Sequence, residues 1–132
     1  MTLIAPGFAV WIKNPAQGRK PHLYFVIAGP VGDEGRILLV NMTTKREGSD
    51  LSCVLSPGDH PCVKHESVVE YGRALYTTVA RLEMQMRKLP DLFKPDVPAS
   101  PELLRRLREG ALRSPHLEPM YKQLVKAELQ GL

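Results

Sequence analysis

No stretch of the chain approaches the roughly 18 to 20 apolar residues that a membrane-spanning helix needs, so no span is expected. Cysteine is scarce. Only Cys53 and Cys62 occur in 132 residues, which excludes a disulfide-stapled miniprotein. Aromatics make up 6%, too little material for a stacking track along a nucleic-acid strand. A phosphate loop, a dinucleotide-binding glycine motif, a Gly-x-Ser-x-Gly elbow and a Cys-x-x-Cys pair are all missing. Nucleotide hydrolysis, hydride transfer, serine-hydrolase and thiol-redox chemistry are therefore poor readings. Met1 to Gly7 carries no basic side chain, and Pro6 and Gly7 interrupt any apolar leader helix. The chain is expected in the cytoplasm with both thiols reduced.

What is present points to one small globular unit. The length suits a single domain, and 43% hydrophobic with 24% charged residues is ordinary for one. The net charge of +4 permits a nucleic-acid partner, yet residues 1–97 and 98–132 each carry +2, so the charge locates none. Twelve prolines and ten glycines limit the length of every element and favour short strands with turns. Phe8–Ile12, His22–Ala28 and Arg36–Met42 read as near-continuous apolar strands, buried on both faces or wrapped in a small barrel. Residues 31–35 join the second and third as a hairpin loop.

Leu51–Leu55 alternates like a fourth strand, and Ser67–Tyr71 and Arg73–Thr77 continue the pattern around Gly72. From Thr78 the period becomes helical through Val79, Leu82, Met86 and Leu89, ending at Pro90. Pro90 to Pro101 reads as an extended connector. Ser100-Pro101 and Ser114-Pro115 each pair an N-cap with a first-turn proline, predicting helices to about Leu112 and about Leu129. The expected fold is mainly β with C-terminal helices. A small β-barrel with a short terminal helix fills 1–89, and 90–132 adds the connector and a two-helix extension, all in one compact unit.

The order of these segments resembles the MazF/PemK toxins, an SH3-like barrel family. Gly7–Ile12 looks like the family's opening strand, and Gly18-Arg19-Lys20-Pro21 like its Gly–basic–Pro segment before strand two. Val40–Thr44 looks like its strand ending in a Thr/Ser pair, and Ser67–Val69 with Arg73–Leu82 like its late strand and helix. Phe8 stands where the family usually has an acidic residue, and Lys20 where it typically has Arg before Pro. A block of Pro57-Gly58-Asp59-His60-Pro61 with Lys64-His65 is also similar to uncharacterised small bacterial proteins. The resemblance implies an SH3-like barrel toxin of a type II toxin–antitoxin system. It would be a cofactor-free, metal-free endoribonuclease of single-stranded RNA, acting as a homodimer and restrained by an antitoxin protein.

RNA cleavage without a metal needs a base for the 2′-hydroxyl, an acid for the leaving oxygen and a cation for the phosphorane. Carried over by resemblance, Arg19 or Lys20 supplies the cation and Thr43 or Thr44 holds a phosphate oxygen; His22 can reach the same mouth if strands two and three pair. Asp59, His60, Cys62 and His65 form the densest set of potential ligands, but no second Cys/His cluster completes a zinc pattern, and no metal is expected. Two uses stay open: the loop is braced by these side chains, or Asp59, His60, Lys64 and His65 rim a binding site. Arg105, Arg106, Arg108 and Arg113 read as a solvated basic face. The alternative function is a non-enzymatic barrel that binds protein or nucleic acid.

Overall fold

Two consecutive apolar runs joined by a glycine-bounded loop form the centre of the molecule. A computed structural model describes residues 3–14 and 20–130. In it His22–Val31 (β2) and Arg36–Thr44 (β3) make an antiparallel hairpin. Around them lie β1 (Ala9–Ile12), β4 (Val54–Leu55), β5 (Ser67–Val69), β6 (Leu75–Thr78) and β7 (Phe93–Asp96). The sheet is antiparallel in the order β4-β5-β3-β2-β1-β7, and β6 also pairs with β3. One edge of β3 is shared: Arg36–Leu39 meets β6, and Met42–Thr44 meets β5. Among the described residues no pairing joins β4 to β7, so the sheet is open.

Side chains of β2 and β3 alternate between two buried layers, as near-continuous apolar strands require. Phe25, Ile27, Leu38 and Val40 face Leu103, Leu107 and Ala111 of α2 (Pro101–Arg113) and Val125 of α3 (Pro119–Gln130). Val26, Ile37 and Leu39 face the other way, toward Leu82 of α1 (Val79–Lys88) and toward Ile4 and Phe8. Tyr71, in a one-turn helix before β6, is fully buried and donates to the Leu107 carbonyl at 2.7 Å. Gly110 makes this packing possible. A Cβ there would collide with the Tyr71 hydroxyl and lie 2.7 Å from Cys53 Cβ, too close for a core without displacement.

The helical extension is fastened to the sheet by charge. The β2–β3 register shifts between Val26 and Ala28 and again before Val31, where Gly29 takes φ +96°. At this irregularity the Ile27 carbonyl accepts from Arg108 Nε at 2.9 Å, and the Gly29 N–H donates to Glu128 at 2.9 Å. Arg108 and Glu128 also face each other at 3.4 Å. Arg106 and Arg113 donate to the carbonyls of Val54 and Ser52, each at 2.7 Å. The basic face of α2 is thus a docking surface for its own sheet, and only Arg105 is left to surface pairs with Glu102 and Glu109.

Several boundaries differ from the sequence expectation. Phe93–Asp96 forms β7 inside the expected connector, with Pro95 opposite Val10. Proline is tolerated there because β7 is an edge strand and needs no outward donor. The stretch beyond Pro90 therefore belongs partly to the sheet. The fourth strand shrinks to Val54–Leu55 because Asp50 turns the chain, accepting from the N–H and hydroxyl of Ser52 at 2.9 and 2.6 Å. Strand β6 begins only at Leu75, since Tyr71–Arg73 is helical. Ser100 caps α2 as expected, but Ser114 does not start α3. Its hydroxyl is drawn to Asp50 at 2.6 Å, and the last helix opens instead at Pro119.

Removing Arg108 leaves a strand carbonyl and Glu128 without their cation. Arg108→Ala is expected to lose about 1–3 kcal/mol by urea unfolding. Glu128→Gln in that background should lose less than it does alone, and additive effects would count against the clamp. Acid supplies a second test. Trp11 Nε1 and the Val97 N–H donate to Asp96 at 2.9 and 2.6 Å; the Val97 bond, then Trp11, hold its carboxyl below the usual range. Burial pushes Asp50 up, but bonds from Ser114 and Ser52 outweigh it and lower its pKa. Both carboxylates bind protons less readily in the fold than when unfolded. Their stabilisation is full above the ordinary carboxylate value of about 3.9 and is lost as pH falls through the lowered folded values. The contribution of these two carboxylates should be lost only in strong acid, so the acid drop of the unfolding midpoint should be shallower for Asp96→Asn. Equal acid slopes in parent and variant would contradict the assignment.

Candidate functional site

The β2–β3 hairpin brings its two open ends together. Extending the Tyr24–Asn41 register by two residues sets His22 opposite Thr43. Strand β5 then places Ser67 beside Thr44, with His65 two residues before it. A cleft of about 280 Å³ opens over these strand ends. Lys20, His22, Thr43, Thr44, Lys64 and His65 all line it, and Arg46 completes the rim. An adjoining hollow of about 460 Å³ shares Lys20, His22, both threonines and Arg46, and adds Glu47 and Glu70.

The cleft has a defined chemistry. Lys20, Arg46 and Lys64 are exposed cations, and His22 and the two threonines are half-buried. Thr44 Oγ1 and His65 Nε2 lie 2.8 Å apart, which ties the imidazole through Nε2 and leaves Nδ1 outside that contact. The Ser67 hydroxyl holds the His65 carbonyl at 3.0 Å, and Lys45 pairs with Glu66 at 2.9 Å across the same strand end. Cys62 reaches the apolar floor beside Trp11, but burial, then Asp96, pushes its thiol up to about 11. It is not a thiolate nucleophile at neutral pH. The group as a whole can hold a phosphodiester by charge and hydroxyl contacts and move protons through imidazoles.

Set against family models, curated proteins and solved structures, the chain matches none.

Of the remaining site candidates, Asp59 and His60 lie elsewhere. Arg19 falls outside the described residues. Asp59 does not reach the cleft. It accepts from the Ser56 N–H at 2.8 Å and pairs with Arg106 at 3.0 Å. The Ser56 bond, aided by Arg106 against the opposing effect of burial, holds its carboxyl below the usual range. His60 is also turned away from the rim. It is 4% exposed, packs edge-on against Phe25, and lies 2.6 Å from the Val97 carbonyl through Nε2. Its Nδ1 accepts from the Cys62 N–H at 3.0 Å, so Nε2 carries the proton. Asp59 and His60 thus brace the loop, while Lys64 and His65, only a few residues on, reach the cleft. Among the described residues no three His, Cys, Asp or Glu side chains are grouped as metal ligands would be.

Arg46 is the charged residue of this cleft that the sequence analysis did not single out. Its signal was weak: a charge two residues beyond a strand end, in a run of Lys45-Arg46-Glu47 that reads as solvated loop. His60→Ala should strand the Val97 carbonyl and the Cys62 N–H and reduce stability by about 1–3 kcal/mol. A thermal melt of that variant at the parent's midpoint would show His60 to be dispensable to the fold.

Proposed function

We propose that the chain is a metal-free endoribonuclease acting on single-stranded RNA, a MazF/PemK-like toxin on an SH3-like barrel. In this reading it works in the cytoplasm as a homodimer and is restrained by an antitoxin protein. The observation that carries the reading is the cleft itself. Lys20 and Thr43 belong to two of the sequence segments that resemble the family, and both line one hollow at the ends of β2 and β3. What supports the barrel is β3, whose one edge serves two different strands in turn, although the sheet stays open among the described residues. No helix among the described residues is long and apolar enough to cross a membrane.

The chemistry follows from charge placement. A phosphodiester seated over the strand ends meets Lys20 and Arg46, whose charges oppose the extra negative charge of the phosphorane. Arg46 can grip two phosphate oxygens at once, whereas Lys20 acts as a point charge. The Thr43 hydroxyl donates to a non-bridging oxygen. Attack of the 2′-oxygen then yields a 2′,3′-cyclic phosphate and a free 5′-hydroxyl.

The test is incubation of purified protein with mixed single-stranded RNA in a metal chelator, with end-group analysis of the products. Expected are cyclic-phosphate ends, and a loss of kcat/KM of about 10²-fold for Lys20→Ala and Arg46→Ala. Thr43→Ala should lose less. Affinity should fall with salt at a log–log slope of about −2 if three cations each neutralise a phosphate. Uncut RNA, together with unaffected growth on expression, would end the toxin reading. RNA bound but uncut would instead identify the alternative, a binding module.

A further inference from the structure

In a strand, successive side chains point to opposite faces, so Thr43 and Thr44 lie on different sides of β3. Thr43 shares its side with Asn41 and, across the hairpin, with His22. Thr44 shares the other side with Met42 and carries His65 through the 2.8 Å contact. The cleft nevertheless contains all four residues, because it wraps over the end of the strand rather than lying on one face. Lys20 and Arg46 line this cleft together with both histidines and, with His22, extend into the adjoining hollow.

In-line cleavage of RNA has a matching geometry. The attacking 2′-oxygen and the departing 5′-oxygen occupy opposite sides of the phosphorus, so base and acid must approach from opposite sides. We propose that His22 and His65 are the proton-transfer pair, His22 taking the 2′-hydroxyl proton and His65 Nδ1 protonating the 5′-oxygen, with Thr44 orienting His65. The proposal rests on the endoribonuclease reading and gives its site an acid and a base. In the step, the 2′-O–P bond forms as His22 gains a proton, and the P–O5′ bond breaks as His65 loses one. Exchange with water restores both. The charged groups facing His65 are Lys64, Arg46 and Lys20; Glu66 beside it is paired with Lys45. Those facing His22 are Lys20, Arg46, Glu47, Glu70 and, from the Tyr24 side, Arg73. His65 is exposed, so its replacement leaves the core untouched.

The roles separate by leaving group. The substrate is an RNA oligonucleotide carrying the parent's own cleavage site, with sulfur in place of the 5′-bridging oxygen. A thiolate departs without a proton, so an acid is no longer needed. On ordinary RNA, His22→Gln and His65→Gln are each expected to lower kcat by about 10²- to 10⁴-fold with little change in KM. On the sulfur substrate His65→Gln should return to within about tenfold of the parent, while His22→Gln stays defective. Thr44→Val, a positioning change, should lose about tenfold on RNA and nothing on the sulfur substrate. Parental rates for His65→Gln on RNA, or equal losses on both substrates, would overturn the acid assignment alone. A parent that cuts neither substrate overturns the endoribonuclease reading, and this pair with it.

Discussion

The irregularity in β2 is the constraint on which the rest of the molecule depends. A strand whose register shifts twice within six residues cannot close all its hydrogen bonds against its hairpin partner. Buried backbone groups must find partners from somewhere. Here Arg108 meets the Ile27 carbonyl, and Glu128 meets the Gly29 N–H. One ion pair therefore joins β2, α2 and α3. Its placement dictates which face of the hairpin α2 and α3 cover, and so which apolar side chains of β2 and β3 become core. The other layer, under α1, is built from the residues in between. With both faces covered, the hairpin is rigid where it begins, and its open end can carry chemistry.

The same clamp sorts the charges. A +4 chain with four arginines near one helix invites a nucleic-acid track along that helix. Arg106 and Arg108 are spent instead on carbonyls of the sheet and Arg113 on the Ser52 carbonyl in the turn before β4, at 2.7 to 2.9 Å. Asp59 is drawn into this arrangement by Arg106, which explains why a carboxylate close in sequence to His65 contributes nothing to the cleft. Lys20, Arg46 and Lys64, the exposed cations lining the cleft, take no part in holding helix to sheet. Charge available to a ligand is what structural pairing leaves over, and sequence totals do not reveal it.

The sequence was most legible where one physical signal dominates. Near-continuous apolar runs at 22–28 and 36–42 meant burial on two faces, and the alternation of Ile37 and Leu39 against Leu38 and Val40 bears this out. Ser100 before Pro101 named a helix start because capping is local. Signals failed where tertiary contacts compete with local ones. Pro95 argued against a strand, yet an edge position removes the objection. Ser114 looked like a cap, but Asp50 holds its hydroxyl in the interior. At the site, hairpin logic was enough to join His22 to Thr43. It could not tell His60 from His65. Both are loop histidines of the same type, and only packing against Phe25 and Val97 makes the first a brace.

A pair of threonines ending a strand looks redundant until the pleat is considered. Neighbouring residues in a strand serve opposite faces, so a single threonine could reach one side of a bound group only. Two in succession put a hydroxyl on each side of the same strand end. Thr43 then lies beside His22 in the cleft, while Thr44 is in contact with His65. Exchanging Thr44 for an apolar residue of similar shape keeps the strand and removes only the tether. Exchanging Thr43 the same way keeps the tether and removes only the hydroxyl beside His22. The adjacent hydroxyls are therefore separable in function although they are adjacent in sequence. That separability follows from strand geometry and stands whichever ligand the cleft holds.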